Sequence, residues 1–334
     1  MNVPRCVAGC LCLLAWPLVV LSDPPAAAVQ ACEKGLRLSG LADFEGAIAA
    51  FTTAIQLDKT YTDAYFRRGA AYQFLPDHGK AVLDFTQALK LDPKMAQAYL
   101  QRAASYRHLR DYEKAIADYT AFLKLDPKRK DIYFERGQVY EMRNQNDKAL
   151  RDYEEMIQLD AKDVNGYIAR SAVCIRMKEY KKAVAAATDG LAVEKDVRLY
   201  FNRGAGHCYL NDYDKGIADF TTAIAVEPKD PRGYVYRGDA YNAQRRDERA
   251  LADYSKALEL DPENFPALLA RGKFYANTMQ YEKAIADCTE AIRVNPKSAA
   301  AYHNRSIAYK GAGQKEMAEK DAREAAKLNP KLRP

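Results

Sequence analysis

The chain lacks the signatures of catalysis. No GxSxG, HExxH or phosphate-loop motif occurs, and there are only four histidines in 334 residues. A nucleophile, a base and an orienting group must meet in one pocket for catalysis. Here His78 falls at an expected turn, His207 replaces a core tyrosine, and His108 and His303 lie far apart. A non-catalytic protein without cofactor or metal is expected. Cysteine is equally uninformative for chemistry. Three of the seven (Cys6, Cys10, Cys12) lie in an N-terminal leader, and no CxxC or Cys/His cluster with metal spacing is present. Cys174 and Cys288 take sites where other parts of the chain carry aromatic residues, so they read as small core residues. Strong charge of one sign is absent too. The 51 basic and 45 acidic residues leave a formal charge of +6, and they alternate along the chain as on a solvated helical surface. Nucleic acid is not an expected partner.

The N-terminus reads as a targeting segment. Arg5 is the only charge before an apolar run from Cys6 to about Leu21, Asp23-Pro24-Pro25 breaks the run, and Ala26-Ala27-Ala28 offers small residues for cleavage. That layout predicts a signal peptide over residues 1–28, cut after Ala28 or after Ser22. The competing reading is an uncleaved signal anchor, since the run is close to the lower length for a membrane span. Export to a periplasmic or extracellular location is expected, with a membrane partner only if the leader stays.

What is present is a period. Tyr65, Tyr99, Tyr133 and Tyr167 are each 34 residues apart; a 33-residue step reaches Tyr200, and Tyr234, Leu268 and Tyr302 resume the count. A fixed period of this size means a stacked array. In the unit 96–129, Tyr99, Ala103 and Tyr106 share one helical face, Arg110-Asp111 interrupts, and Ala115, Ile116, Tyr119, Leu123 and Leu125 form another apolar face. Asp126-Pro127 ends the unit, because proline cannot continue the helix. Small residues recur at Gly69, Ala103, Gly137, Ser171, Gly204, Gly238, Gly272 and Ser306, where two helices must approach.

The residues Tyr234, Gly238, Tyr241, Ala250, Tyr254, Ala257 and Pro262 carry the pattern most fully, and on them the unit resembles the tetratricopeptide repeat. Nine repeats begin near residues 28, 62, 96, 130, 164, 197, 231, 265 and 299. The resemblance implies an all-α fold, a right-handed superhelical α-solenoid of nine helix-turn-helix repeats, as a single array over residues 29–334. The style of the repeats and the leader look bacterial. In the ninth repeat Glu319 and Ala326 replace the apolar residues of the other repeats, as a solenoid needs at its last outer face.

A charged series accompanies the repeat. Arg68, Arg102, Arg136, Arg170, Arg203, Arg237, Arg271 and Arg305 share one site, and sixteen residues later stand Asp84, Asp118, Asp152, Asp219, Asp253, Asp287 and Asp321, with Ala186 in repeat 5. The matched series reads as a ladder of structural ion pairs rather than a stripe for an acidic ligand.

In this family the first helices line an inner groove where extended peptides bind. The resemblance places Phe66, Leu100, Phe134, Ile168, Phe201, Val235 and Leu269 there, as either a binding stripe or packing between neighbouring helices, together with Arg107, Arg176 and Tyr209. The expected function is a non-catalytic scaffold, monomeric, holding a protein or peptide in that groove. The alternatives are a membrane-tethered envelope assembly factor, or a cell-wall or polyanion binder. Repeat 5 is one residue short and carries Ala187 and Gly190 in place of larger residues, which predicts a weak junction before repeat 6.

Overall fold

A computed structural model describes residues 23–332. Among them the chain forms eighteen α-helices in nine consecutive pairs. The first three pairs are α1 (Ala26–Gly40) with α2 (Phe44–Leu57), α3 (Thr62–Phe74) with α4 (His78–Leu91), and α5 (Ala96–His108) with α6 (Tyr112–Leu125). These lie in a compact unit that ends at Pro127. The second unit, from Lys128, holds six pairs. They are α7 (Lys130–Met142) with α8 (Asn146–Leu159), α9 (Val164–Arg176) with α10 (Tyr180–Val193), and α11 (Val197–Tyr209) with α12 (Tyr213–Val226). There follow α13 (Pro231–Ala243) with α14 (Asp247–Leu260), α15 (Phe265–Asn277) with α16 (Tyr281–Val294), and α17 (Ala299–Gly311) with α18 (Lys315–Leu328). The apolar leader lies outside the described residues; among those described, no helix is long and apolar enough to cross a membrane.

The turn inside each pair has one design. At its centre a residue adopts positive φ, as at Arg110 (59°), Asn144 (55°), Lys178 (61°), Asn211 (62°) and Met279 (61°). The next residue's N–H then reaches back to the last turn of the helix just left, as Asp111 N–H does to the Tyr106 carbonyl at 2.9 Å. This is a Schellman closure, which satisfies carbonyls that the helix end would leave unpaired. The same Asp111 accepts from the Lys114 N–H and caps the helix that follows. Asp43 and Asp77 act alike on Gly46 and Lys80.

Packing explains the small residues. A Cβ built on Gly69 would stand 2.9 Å from the Phe85 ring, and one on Gly238 would stand 2.7 Å from the Tyr254 ring. In six of the nine pairs the first helix is thus recessed to admit an aromatic of the second. Phe51, Phe85, Tyr119, Tyr153, Phe220 and Tyr254 fill that place, all essentially inaccessible to water.

Repeat 5 departs from the expectation of a loose junction. Its aromatic is replaced by Ala187, but the helices close the gap rather than leave it. A Cβ on Gly190 would come within 2.7 Å of Tyr167 Cβ and 2.8 Å of Leu199 Cδ1. Ala187 and Leu199 are fully buried in one cluster with Val164 and Tyr167. Gly190 is therefore a close-approach glycine, not a defect in the helix. On the last helix, α18, Lys315, Glu316, Glu319, Lys320, Arg323 and Lys327 are exposed.

Candidate binding surface

The arginine–aspartate series is resolved atom by atom. Arg68, Arg102, Arg136, Arg203, Arg237, Arg271 and Arg305 each lay Nε and Nη2 on the two carboxylate oxygens of the aspartate sixteen residues on, at 2.6 to 3.2 Å. The partners are Asp84, Asp118, Asp152, Asp219, Asp253, Asp287 and Asp321, all buried. Bidentate geometry makes these the strong form of the ion pair. The remaining Nη1 donates to a hydroxyl of the preceding repeat: Thr52 for Arg68, Thr86 for Arg102, Thr221 for Arg237, Ser255 for Arg271 and Thr289 for Arg305, at 3.0 to 3.3 Å. Flanking tyrosines complete the setting, with Arg102 over both Tyr99 and Tyr106 and Arg305 over both Tyr302 and Tyr309. These five rungs therefore tie a first helix both to its own partner and to the repeat before it. The bonds that Arg68 donates to Asp84 hold its guanidinium above the usual pKa. Burial pushes the Asp118 carboxyl up even against Arg102.

Repeat 5 breaks the series in a compensated way. Arg170 has Ala186 where the aspartate should be, and it turns instead toward Glu154 of α8, 3.8 Å away. Glu154 occupies the place that holds Thr52 or Thr86 in unit 1. The loss of one acid is matched by the gain of another, sixteen residues before the arginine instead of after it.

The apolar row on the first helices is not an exposed stripe. Phe201 and Val235 are buried, at 8% and 4% exposure. Phe66, Leu100, Phe134, Ile168 and Leu269 are half-buried. The cause is contact with the aromatics behind and beside them: Phe66 lies 5.7 Å from Phe85, Phe134 lies 6.0 Å from Tyr153, and Phe201 lies 5.7 Å edge-on to Tyr236 with the Arg232 guanidinium 5.1 Å over its ring. Arg176, placed among the ligand contacts from sequence, is ion-paired with Glu141 of α7. Arg107 is half-buried.

Accessible apolar rings lie about two turns further along the first helices. Phe74 is 67% exposed and Tyr209 is 59% exposed. Each end-of-helix ring stacks on the first residue of the second helix of the repeat before: Phe74 on Phe44 at 4.4 Å, His108 on His78 at 4.3 Å, and Tyr209 on Tyr180 at 4.5 Å. His78 is thus a helix-start residue in a ring pair, not a turn residue. Burial and the adjacent His108 lower its pKa. In unit 1, a cleft of about 530 Å³ is lined by Phe66, Ala70, Gln73, Phe74, His78 and His108 among others. In unit 2, one of about 300 Å³ lies beside Tyr209, Tyr213 and Tyr236. Of the stacking bases, Phe44 and Tyr180 are not singled out by the sequence, and His78 is read there as a turn residue. Their signal is a 29- or 30-residue spacing between two aromatic rings, a second period laid over the first.

Two groove carboxylates are held from below by buried tyrosines. Tyr153 donates its hydroxyl to Glu141 at 2.9 Å, and Tyr254 donates to Asp239 at 2.7 Å. A fully buried tyrosine needs an acceptor for its hydroxyl, and these acids supply it. Burial and the Asp239 carboxylate push the Tyr254 phenol above its usual pKa. Asp239 presents its side chain to the groove, yet its surroundings strip away enough water to raise its own pKa.

Solved structures with this architecture include the C-terminal part of a TPR repeat-containing protein from Cytophaga hutchinsonii. It shares 17% identity, covers 72% of this chain and 98% of its own, and has a TM-score of 0.57. The Cut9–Hcn1 hetero-tetramer of APC/C matches at 15% identity over 91% of this chain and 73% of that one, TM-score 0.57. Yeast Tom70 matches at 13% identity over 90% and 92%, TM-score 0.51. At such identities the likeness is one of fold. No curated protein matches the chain. Profiles described as tetratricopeptide repeat match residues 75–127, 100–164, 201–265, 254–286 and 299–332. With nine helix pairs among the described residues and profile matches over more than half its length, the chain belongs to the tetratricopeptide repeat family.

Proposed function

We propose that this protein is an exported, monomeric, non-catalytic scaffold that binds an extended peptide or partner protein along the ends of its first helices. The observation that carries the reading is the pair of solvent-facing rings Phe74 and Tyr209, each already immobilised by stacking on a neighbour. A rigid exposed aromatic loses little entropy on binding and offers large apolar area, which is what an interaction hot spot requires. The buried arginine–aspartate rungs hold those helices in register and are not themselves the ligand contacts. Export rests on the leader sequence. For such a leader the start of α1 favours a cut after Ser22: Ala28 is fully buried and its N–H is bonded to the Pro25 carbonyl. Scission after Ala28 would remove the first turn of the array, whereas scission after Ser22 would leave it whole.

A photo-crosslinking amino acid placed at Phe74, and separately at Tyr209, tests the reading. The reference positions are Leu83 and Lys181, exposed residues of second helices. Discrete adducts with an envelope protein from the first-helix positions, and none from the references, support it. Equal labelling from all four positions contradicts it. Sequencing the mature N-terminus decides between cleavage and anchoring.

A further inference from the structure

The pocket of about 300 Å³ in the second unit has walls of unusual chemistry. Its lining includes Cys208, Tyr209, Tyr213, Tyr236 and Asp239. Tyr209 is fixed by its stack on Tyr180, and Tyr236 by its edge contact with Phe201 and its 5.5 Å approach to Phe220. Tyr213 is held by its hydroxyl, which donates to Asn211 at 2.9 Å. Three tyrosine rings thus line the same open pocket as one carboxylate. The faces of aromatic rings carry negative charge, and together with an acid they suit a cation.

Elsewhere the same chain fills a related arrangement. Glu141 accepts the Tyr153 hydroxyl and takes a guanidinium, that of Arg176 at the end of the next first helix. At Asp239 the tyrosine is present, as Tyr254, but the nearby cation, Lys273, acts on the carboxylate only through space, and among the described residues no ion pair closes on it. Asn277 stands at the repeat position of Arg176. Lys273, on the same α15, is exposed and forms no ion pair with Asp239. One carboxylate oxygen of Asp239 accepts the tyrosine hydroxyl, and among the described residues none donates to the other.

We infer that this pocket is a specificity subsite for a lysine side chain of the bound peptide, its ammonium on Asp239 and its methylenes against Tyr209, Tyr213 and Tyr236. The inference rests on the proposed first-helix binding surface and names the side chain that surface selects.

The test compares two peptides on the intact chain by nuclear magnetic resonance: acetyl-Ala-Ala-Lys-Ala-Ala-amide and its norleucine counterpart, which has the methylenes without the charge. The expected result is perturbation centred on residues 205–240, with the lysine peptide bound ~10-fold more tightly. Asp239→Asn keeps an acceptor for the Tyr254 hydroxyl, so the fold should stand, and it should bring the two affinities together. Equal binding of both peptides to the wild type overturns the cation subsite while leaving the binding surface intact. Absence of perturbation at residues 205–240 with either peptide overturns the pocket as a subsite altogether, whatever the crosslinking result at Phe74 and Tyr209.

Discussion

Arg102 and Asp118 face each other across one helix pair, Nε to Oδ2 at 2.8 Å and Nη2 to Oδ1 at 2.7 Å, with the aspartate buried. Removing only the acid strands a guanidinium among Tyr99 and Tyr106. Asp118→Ala should therefore destabilise the first unit by about 3 kcal/mol or more, the usual cost of breaking a buried pair. Replacing both residues, as Arg102→Leu with Asp118→Leu, should recover most of that loss. Urea unfolding of the two variants checks this. If the single change costs less than the double, the rung does not couple the helices.

The close approach at Gly190 yields a prediction opposite to helix propensity. Alanine is favoured over glycine inside a helix by about 1 kcal/mol. Here the added methyl would meet Tyr167 Cβ at 2.7 Å and the Leu199 side chain at 2.8 Å. Gly190→Ala should lower the melting temperature, because overpacking of this kind costs roughly 1–3 kcal/mol. A higher melting temperature would mean that repeat 5 is loose after all.

Met279 is 74% exposed and sits at a φ of 61° in the turn between α15 and α16. A side chain in that conformation costs roughly 1–2 kcal/mol, which glycine avoids. Met279→Gly should raise the melting temperature of the second unit by a few degrees; an unchanged or lower value would show that the methionine makes a compensating contact.

Asp239 gives a pH dependence. Its carboxyl holds a proton to higher pH in the folded chain than in the unfolded one, where aspartate titrates near about 4. The folded state therefore gains from protonation. The contribution is complete below the unfolded pKa and is lost as pH rises through the folded pKa. Asp239→Asn should melt above the wild type at pH 7, and the gap should close as the pH falls toward 4. A gap that widens in acid would reverse the sign of the argument.

How much of this was legible in the sequence follows from which interactions are periodic. The nine helix pairs and the arginine–aspartate spacing of sixteen repeat with the chain, so the residues alone expose them. The side chains of the surface do not. Phe201 and Phe134 follow the same repeating tyrosines, but their burial depends on Tyr236, Arg232 and Tyr153, which lie at other positions of the unit or on other helices. Arg176 looks free until Glu141 of the neighbouring first helix is seen beside it. In the sequence alone Glu154 passes unremarked, standing where other repeats carry a threonine, and its meaning emerges only beside Ala186. Gly190 carries two opposite meanings, a weak helix or a close contact, and only the position of Leu199 decides.

Paired variants at Tyr209 and Phe201 test most directly the claim that the exposed helix ends bind while the apolar row packs. Both are to be measured for melting temperature and for capture of the crosslinked partner. Tyr209→Ser should abolish capture with little change in melting. Phe201→Ser should destabilise by about 3 kcal/mol or more, as loss of a buried ring does. Strong destabilisation by Tyr209→Ser, or loss of capture by Phe201→Ser at unchanged stability, would contradict the account.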